Sequence, residues 1–176
     1  WKHWYDPDPR APDKCVSKWG GFLEPVSFDP MEFGMPPNSL PSIEPLHLLT
    51  LLTVRDALKD AGYGEKPFPR DRTSVILGAG GGIADLGLAY AFRSFLPFLE
   101  SLPGRPFSSE AVKAQMDGFL PDWTEDSFAG ILTNVAAGRV ANRFDLGGIN
   151  CTVDAACGSS LAALNLAVRE LQGVST

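Results

Sequence analysis

The chain has 176 residues, of which 44% are hydrophobic and 20% charged, and its formal net charge is −6. This is the composition of an ordinary globular domain with a hydrophobic core, without low-complexity stretches or internal repeats. An acidic balance without a basic stripe argues against nucleic acid and anionic membrane surfaces as partners, and no apolar run reaches membrane-spanning length.

The three cysteines, Cys15, Cys151 and Cys157, are odd in number and form neither a CxxC pair nor a disulfide framework. We therefore expect free thiols in a reducing compartment, which predicts a cytoplasmic protein. The chain begins at Trp1 without an initiator methionine, and it stops just after a predicted helix. From these two ends we expect that the chain is a piece of a longer protein.

Residues 1–42 are rich in proline and are predicted to be an irregular segment wrapped around the main core. Proline removes a backbone donor and fixes φ, so regular structure is disfavoured there. Phe28, Met31 and Phe33 are predicted to anchor this segment in the core. Residues 43–176 are predicted to form the α/β part of the same domain.

The first predicted helix covers residues 45–61, with Ser42 as its cap and Gly62 as the glycine that follows its end. Its broad apolar face predicts burial between other elements. Residues 73–77 form a short β-branched run that predicts a strand, and this strand enters a glycine-rich turn at 78–82.

Residues 83–99 are predicted to be partly helical, with Pro97 disturbing the end, and a short helix is expected around 110–117. Thr124 is the predicted N-cap of a helix that continues to Arg143, with a bend at Gly138.

A turn at 145–148 leads into a predicted strand at 149–155, and the last helix is expected at 159–171. An apolar stripe follows that helix, made by Leu161, Leu164, Val168 and Leu171. The order helix, strand, helix, helix, strand, helix predicts an α/β layer architecture.

Cys157 lies in a corner of small residues between the last strand and the last helix. The positive end of a helix dipole and unpaired N–H groups stabilise a thiolate, which is the nucleophilic form of cysteine. The backbone N–H of Cys157 is also a candidate donor to the oxyanion formed during acyl transfer. A small buried core thiol is the alternative, and the residues alone favour neither. For Cys151 the buried alternative is favoured, and Cys15 is expected to have no role.

Gly78, Gly80, Gly81 and Gly82 follow a strand and suggest a dinucleotide-binding turn. Ile83 stands where a third small residue belongs, and residues 92–97 make no good following strand, so a plain tight turn is favoured. The two histidines, His3 and His47, show no metal-ligand spacing. Glu125 and Asp126 are interpreted as helix N-terminal charge.

One segment closely resembles the nucleophile motif of β-ketoacyl synthases in type I polyketide and polyunsaturated fatty acid synthases. It reads Val153-Asp154-Ala155-Ala156-Cys157-Gly158-Ser159-Ser160-Leu161-Ala162-Ala163-Leu164. Residues 28–37, 60–63 and 138–148 resemble the same family, and 35–38 and 141–145 look most like its polyunsaturated-fatty-acid branch. Gly158 stands where many relatives have serine or alanine, and Leu-His-Leu at 46–48 replaces a more polar stretch.

The resemblance implies a thiolase-like fold of αβαβα layers, made of two pseudo-repeated halves, of which this chain would be most of the first. It implies a homodimer. It implies that Cys157 is the catalytic residue here, and that the two histidines of the family lie in the second half. His3 and His47 are therefore not assigned to those roles.

The implied reaction has two steps. Cys157 takes an acyl group from an acyl carrier protein, and decarboxylation of malonyl on that carrier gives the carbanion that forms a β-ketoacyl product. Acyl and malonyl thioesters are the implied substrates, with no bound cofactor, because the phosphopantetheine arm belongs to the carrier. The alternatives are a scaffold or dimerisation fragment without activity and an oxidoreductase using the turn at 78–82. The chain alone is predicted to be inactive.

Overall fold

The computed structural model describes residues 3–80, 85–104 and 108–173, in which six α-helices and two β-strands are found. In chain order these are α1 (Pro45–Asp60), β1 (Val75–Gly78), α2 (Asp85–Glu100), α3 (Ser109–Met116), α4 (Glu125–Ile131), α5 (Thr133–Arg143), β2 (Asn150–Val153) and α6 (Ser159–Leu171). The predicted mixed α/β class is confirmed.

The two strands pair in parallel, with Val75 opposite Asn150 and Gly78 opposite Val153. Parallel neighbours need a long crossover connection, and helices α2 to α5 supply it here. Helices α5 and α6 both pack against the strand pair, and α1 packs on α5. The carboxyl ends of both strands therefore meet at one edge of the sheet, where the chain turns into α6.

Two apolar clusters hold these elements together. One joins the N-terminal segment to α1 and α5 through Phe33, Met35, Leu51 and Val140. Phe28 stacks on Phe33 with ring centroids 5.0 Å apart, which confirms both as anchors of the segment. Met31 was expected beside them but is exposed. The other cluster packs α2 against α3 and α4; its buried members are Tyr90, Leu96, Met116, Leu120 and Ile131.

Helix α1 begins and ends close to its predicted bounds, and Gly62 follows it with φ +77, as predicted for a left-handed position. The predicted cap is wrong. Ser42 ends a preceding 3-10 helix, and its hydroxyl lies 3.4 Å from that of Thr124. Glu44 occupies the cap position instead, and its buried carboxylate accepts from the backbone N–H groups of Leu86 and Gly87 at the start of α2.

The predicted helix from Thr124 to Arg143 is two helices. Thr124 is the N-cap as expected, and its N–H donates to Ser127 Oγ at 2.9 Å. The chain then breaks at Leu132, whose backbone is extended, with φ −87 and ψ 119. The Leu132 carbonyl accepts from the N–H of Val135 at 3.1 Å and also bonds a side chain from α1. Gly138, where the bend was predicted, lies within α5.

Pro97 disturbs α2 less than expected. It lies in the last turn of the helix, which continues to Glu100. Its carbonyl still accepts a hydrogen bond from Ser101 N–H at 3.3 Å. Proline removes only its own bond to the carbonyl four residues earlier, so the bonds after Pro97 can still form.

Candidate active site

Cys157 lies in a sharp turn between β2 and α6, as the sequence predicted. Strand β2 ends at Val153, a single 3-10 turn covers Ala156–Gly158, and α6 starts at Ser159. Ala156 has φ +47, a left-handed conformation that L residues other than glycine rarely adopt. Such a residue costs about 1–2 kcal/mol, so its surroundings must hold it in place.

Two side chains hold this turn. Asp154 Oδ1 accepts from the N–H of Ala156 at 2.9 Å. Ser159 Oγ accepts from the N–H of Ala155 at 3.0 Å and donates to the carbonyl of Ala156 at 2.7 Å. Neither residue was assigned a role from the sequence, although an Asp two residues before a turn amide is a common local pairing.

The thiol of Cys157 is free and exposed. Because the thiol is exposed, Cys157 does not fit the alternative of a small buried core residue. Cys151 is half-buried on β2, opposite Ile76 of β1, and Cys15 is exposed in the N-terminal segment. The structure therefore places one of the three cysteines at the strand-to-helix corner.

The carboxyl end of β1 packs closely on the same corner. A Cβ at Gly78 would lie 2.6 Å from the Ser159 carbonyl oxygen and 2.9 Å from Ser160 Cα. A Cβ at Gly80 would lie 2.8 Å from Asp154 Oδ1. Close packing therefore accounts for two glycines of the turn considered for dinucleotide binding. Gly81, Gly82 and Ile83 lie outside the described residues.

His47 is buried between α1 and the break that follows α4, with 1% of its surface exposed. Its Nε2 bonds the Leu132 carbonyl at 3.0 Å, and its Nδ1 accepts from Arg139 Nε at 3.3 Å. Burial, reinforced by the charge of Arg139, lowers the pKa of His47 to about 4. Both ring nitrogens are engaged, which leaves neither for Cys157.

His3 lies in the N-terminal segment, where its backbone carbonyl accepts from the Lys14 ammonium. Across 3–80, 85–104 and 108–173, His, Cys, Asp and Glu side chains form no group of three arranged to hold a metal. In the same residues, no helix combines the length and the apolar character needed to cross a membrane.

A cavity of about 930 Å³ lies at the opposite end of the strand pair from Cys157. The starts of both strands and the end of α6 line it, including Ser74, Ile149 and Glu170. Its position at the amino ends of the strands separates it from the corner at their carboxyl ends.

Comparisons with known proteins agree on one family. A sequence model described as "Beta-ketoacyl synthase, N-terminal domain" matches residues 1–174. The chain is 35% identical to part of a polyunsaturated fatty acid synthase from Thraustochytrium sp., over 96% of this chain and 6% of that protein. It is 30% identical to a mycocerosic acid synthase-like polyketide synthase of Mycolicibacterium smegmatis, over 97% of this chain and 7% of that protein.

The fold agrees as well. The structure aligns with an oxazolomycin ketosynthase domain, OzmH KS7, of Streptomyces albus with a TM-score of 0.63 and 32% sequence identity. The alignment covers 98% of this chain and 25% of that one. The chain is thus a partial thiolase-like α/β fold, and it belongs to the β-ketoacyl synthase family, in which it matches the N-terminal domain.

Proposed function

We propose that Cys157 is the nucleophile of a β-ketoacyl synthase that acts on carrier-protein-bound acyl chains. The observation that carries the proposal is the free, exposed thiol at a held turn between β2 and α6, in a chain that belongs to this family. Small neighbours leave room for a carbonyl group, and the start of α6 favours negative charge.

In the first proposed step the Cys157 thiolate attacks the carbonyl carbon of an acyl thioester. A new S–C bond forms, the bond from the carbonyl carbon to the carrier's sulfur breaks, and the phosphopantetheine arm leaves as a thiolate that takes up a proton from water. In the second step a malonyl thioester loses carbon dioxide, and its carbanion attacks the acyl-cysteine. The new C–C bond yields a β-ketoacyl thioester and releases the Cys157 thiolate.

The proposed partners follow from this chemistry. They are an acyl carrier protein with its acyl and malonyl thioesters, and a second copy of the chain in a homodimer. No directly bound cofactor is proposed. The relatives are synthases of polyketides and polyunsaturated fatty acids, so we propose one of these product classes and a cytoplasmic location.

The chain spans 25% of the solved ketosynthase chain, so we propose condensation for a protein that carries this domain with the rest of a ketosynthase. The test is uptake of a labelled acyl group from an acyl carrier protein by that protein. Cys157→Ala should abolish the label, whereas Cys15→Ala, which removes another exposed thiol, should leave it unchanged. Label retained in the Cys157→Ala protein would refute the mechanism.

The 176 residues alone are proposed to be inactive in condensation. Both ring nitrogens of His47 make buried hydrogen bonds, and neither His3 nor His47 has a role in the proposed decarboxylation step. Measurable β-ketoacyl product from this polypeptide in isolation would contradict the proposal.

A second candidate function is a scaffold or dimerisation domain without chemistry of its own. The apolar stripe of α6 favours it, since Leu161, Leu164, Val168 and Leu171 are 74%, 60%, 43% and 88% exposed. On this proposal two copies associate through the stripe, and light scattering gives twice the mass of one chain. Leu164→Lys should return the chain to a monomer, and a monomeric mass for the unaltered chain would exclude this candidate.

A further inference from the structure

We propose that Ser159 and Asp154 are positioning residues that hold Ala156 in its left-handed conformation and thereby orient the backbone N–H of Cys157. The inference rests on the proposed function, in which Cys157 attacks a thioester. It assigns a role to two side chains that do not react themselves.

The two residues fix the two peptide planes on either side of Ala156. Asp154 accepts from the Ala156 N–H, which sets the plane between residues 155 and 156. Ser159 donates to the Ala156 carbonyl, which sets the plane between residues 156 and 157. With both planes set, φ and ψ of Ala156 have little freedom left, and the strain of φ +47 is retained.

Ser159 has the more direct effect on Cys157. In a trans peptide the N–H points opposite to the preceding carbonyl, and the carbonyl of Ala156 is bonded to the nitrogen of Cys157. The 2.7 Å bond from Ser159 Oγ, together with the bond that the Ser159 backbone N–H donates to the same carbonyl, therefore also sets the direction of the Cys157 N–H. Only 6% of Ser159 is exposed, so water is a poor substitute for its hydroxyl.

An oriented N–H matters for one kind of reaction and not for another. Attack on a thioester develops an oxyanion, which a preorganised N–H stabilises. Alkylation by iodoacetamide displaces iodide and develops no such oxyanion. Loss of the orienting bond should therefore slow acylation more than alkylation, whereas a general loss of structure would change both rates together.

The first experiment measures both rates on the chain. The acyl probe is S-acetyl-N-acetylcysteamine, from which the Cys157 thiolate takes the acetyl group while N-acetylcysteamine leaves as its thiolate, which takes up a proton from water. Peptide mass spectrometry reads Cys157 separately. Exposed Cys15 is the internal reference for the alkylation rate, and half-buried Cys151 reports unfolding by reacting faster with iodoacetamide.

Ser159→Ala should slow acylation of Cys157 about tenfold and alkylation by less than about twofold. The deficit should shrink to about threefold when Ala156→Gly is added, because glycine adopts a positive φ without strain. Equal losses in both rates, or the same tenfold loss in the glycine background, would overturn the proposal.

Asp154 provides an independent comparison, because it is exposed whereas Ser159 is buried. Asp154→Ala should slow acylation, whereas Asp154→Asn keeps an Oδ1 acceptor and should restore most of the rate. If faster alkylation of Cys151 shows that Ser159→Ala unfolds the chain, the comparison of Asp154→Ala with Asp154→Asn tests the positioning role instead. Equal rates for the two Asp154 variants would then overturn the proposal.

A second experiment separates this inference from the proposed function. The ¹³C chemical shifts of Ala156 report its backbone conformation whether or not Cys157 reacts. We expect left-handed shifts in the unaltered chain and their loss in Ser159→Ala. If the unaltered chain is not acylated but these shifts change, the positioning role stands, and the nucleophile proposal is judged by acyl uptake in the larger protein. Unchanged shifts in Ser159→Ala overturn the positioning role.

Discussion

The buried His47 predicts a pH-dependent stability. Its Nδ1 accepts a hydrogen bond from Arg139, so protonation would place a second donor and a second positive charge against the guanidinium. The pKa of His47 is lowered from 6.5 to about 4, chiefly by burial. The unfolded chain therefore binds the proton more readily than the folded chain between these two values.

Proton linkage gives the sign and the size of the change in the free energy of unfolding with pH. The stability associated with neutral His47 is fully present above pH 6.5 and is lost as the pH falls toward the folded pKa of about 4. For these two pKa values, the loss between neutral pH and about pH 5 is about 2 kcal/mol. Other groups titrate in the same range, so the measurement has to be a difference between two chains.

The assay is urea unfolding of the unaltered chain and of His47→Gln at about pH 7.5 and about pH 5. At the higher pH the variant should be the less stable, because the flexible glutamine side chain loses more rotamer entropy than the rigid imidazole when it bonds Leu132 and Arg139. At the lower pH the gap should narrow by about 2 kcal/mol. A gap of the same size at both values would refute the neutral, doubly bonded His47.

Further predictions concern stability around the site. Gly78→Ala should lower the free energy of unfolding by about 2 kcal/mol and Tm by about 4–8 °C, because its Cβ would meet backbone atoms that cannot shift freely. Gly21→Ala is the control, because its Cβ meets nothing within 4 Å, and it should change Tm little. Equal Tm shifts for the two variants would contradict the close packing at Gly78. Glu44→Ala should cost about 2–3 kcal/mol, because it leaves the N–H groups of Leu86 and Gly87 without their buried acceptor, while Glu44→Gln should cost less. Thermal unfolding by circular dichroism measures both pairs, and a larger loss for Glu44→Gln than for Glu44→Ala would show that the carboxylate is not an acceptor there.

Local pattern was enough to place several elements. The last helix lies at its predicted position, Ser159–Leu171, because its start is a turn of small residues and its apolar residues recur at helical spacing. Gly62 follows α1 as expected, because a left-handed position after a helix favours glycine. Such features depend on residues within one or two turns of each other.

The sequence-based predictions of the cap of α1 and of one continuous helix from Thr124 to Arg143 were wrong because residues far apart in the chain decide the local structure there. The break at Leu132 has no glycine or proline to mark it, and its carbonyl is bound by His47, which is 85 residues away. Ser42 has the right chemistry for a cap, but it is used in the preceding 3-10 helix and lies beside Thr124. Glu44 caps α2 rather than its own helix, a pairing that no local spacing reveals.

The same division applies to Cys157. From the sequence alone, a cysteine is predicted between a strand and a helix among small residues, and the resemblance indicated the family that the comparisons then showed. The residues alone did not distinguish a nucleophile from a core thiol. The folded chain was needed to show that the thiol is exposed, that Ala156 is left-handed, and that Gly78 brings β1 against the start of α6. The physical reason is that exposure and close approach depend on how separate elements pack, whereas helix spacing and turn chemistry are properties of neighbouring residues.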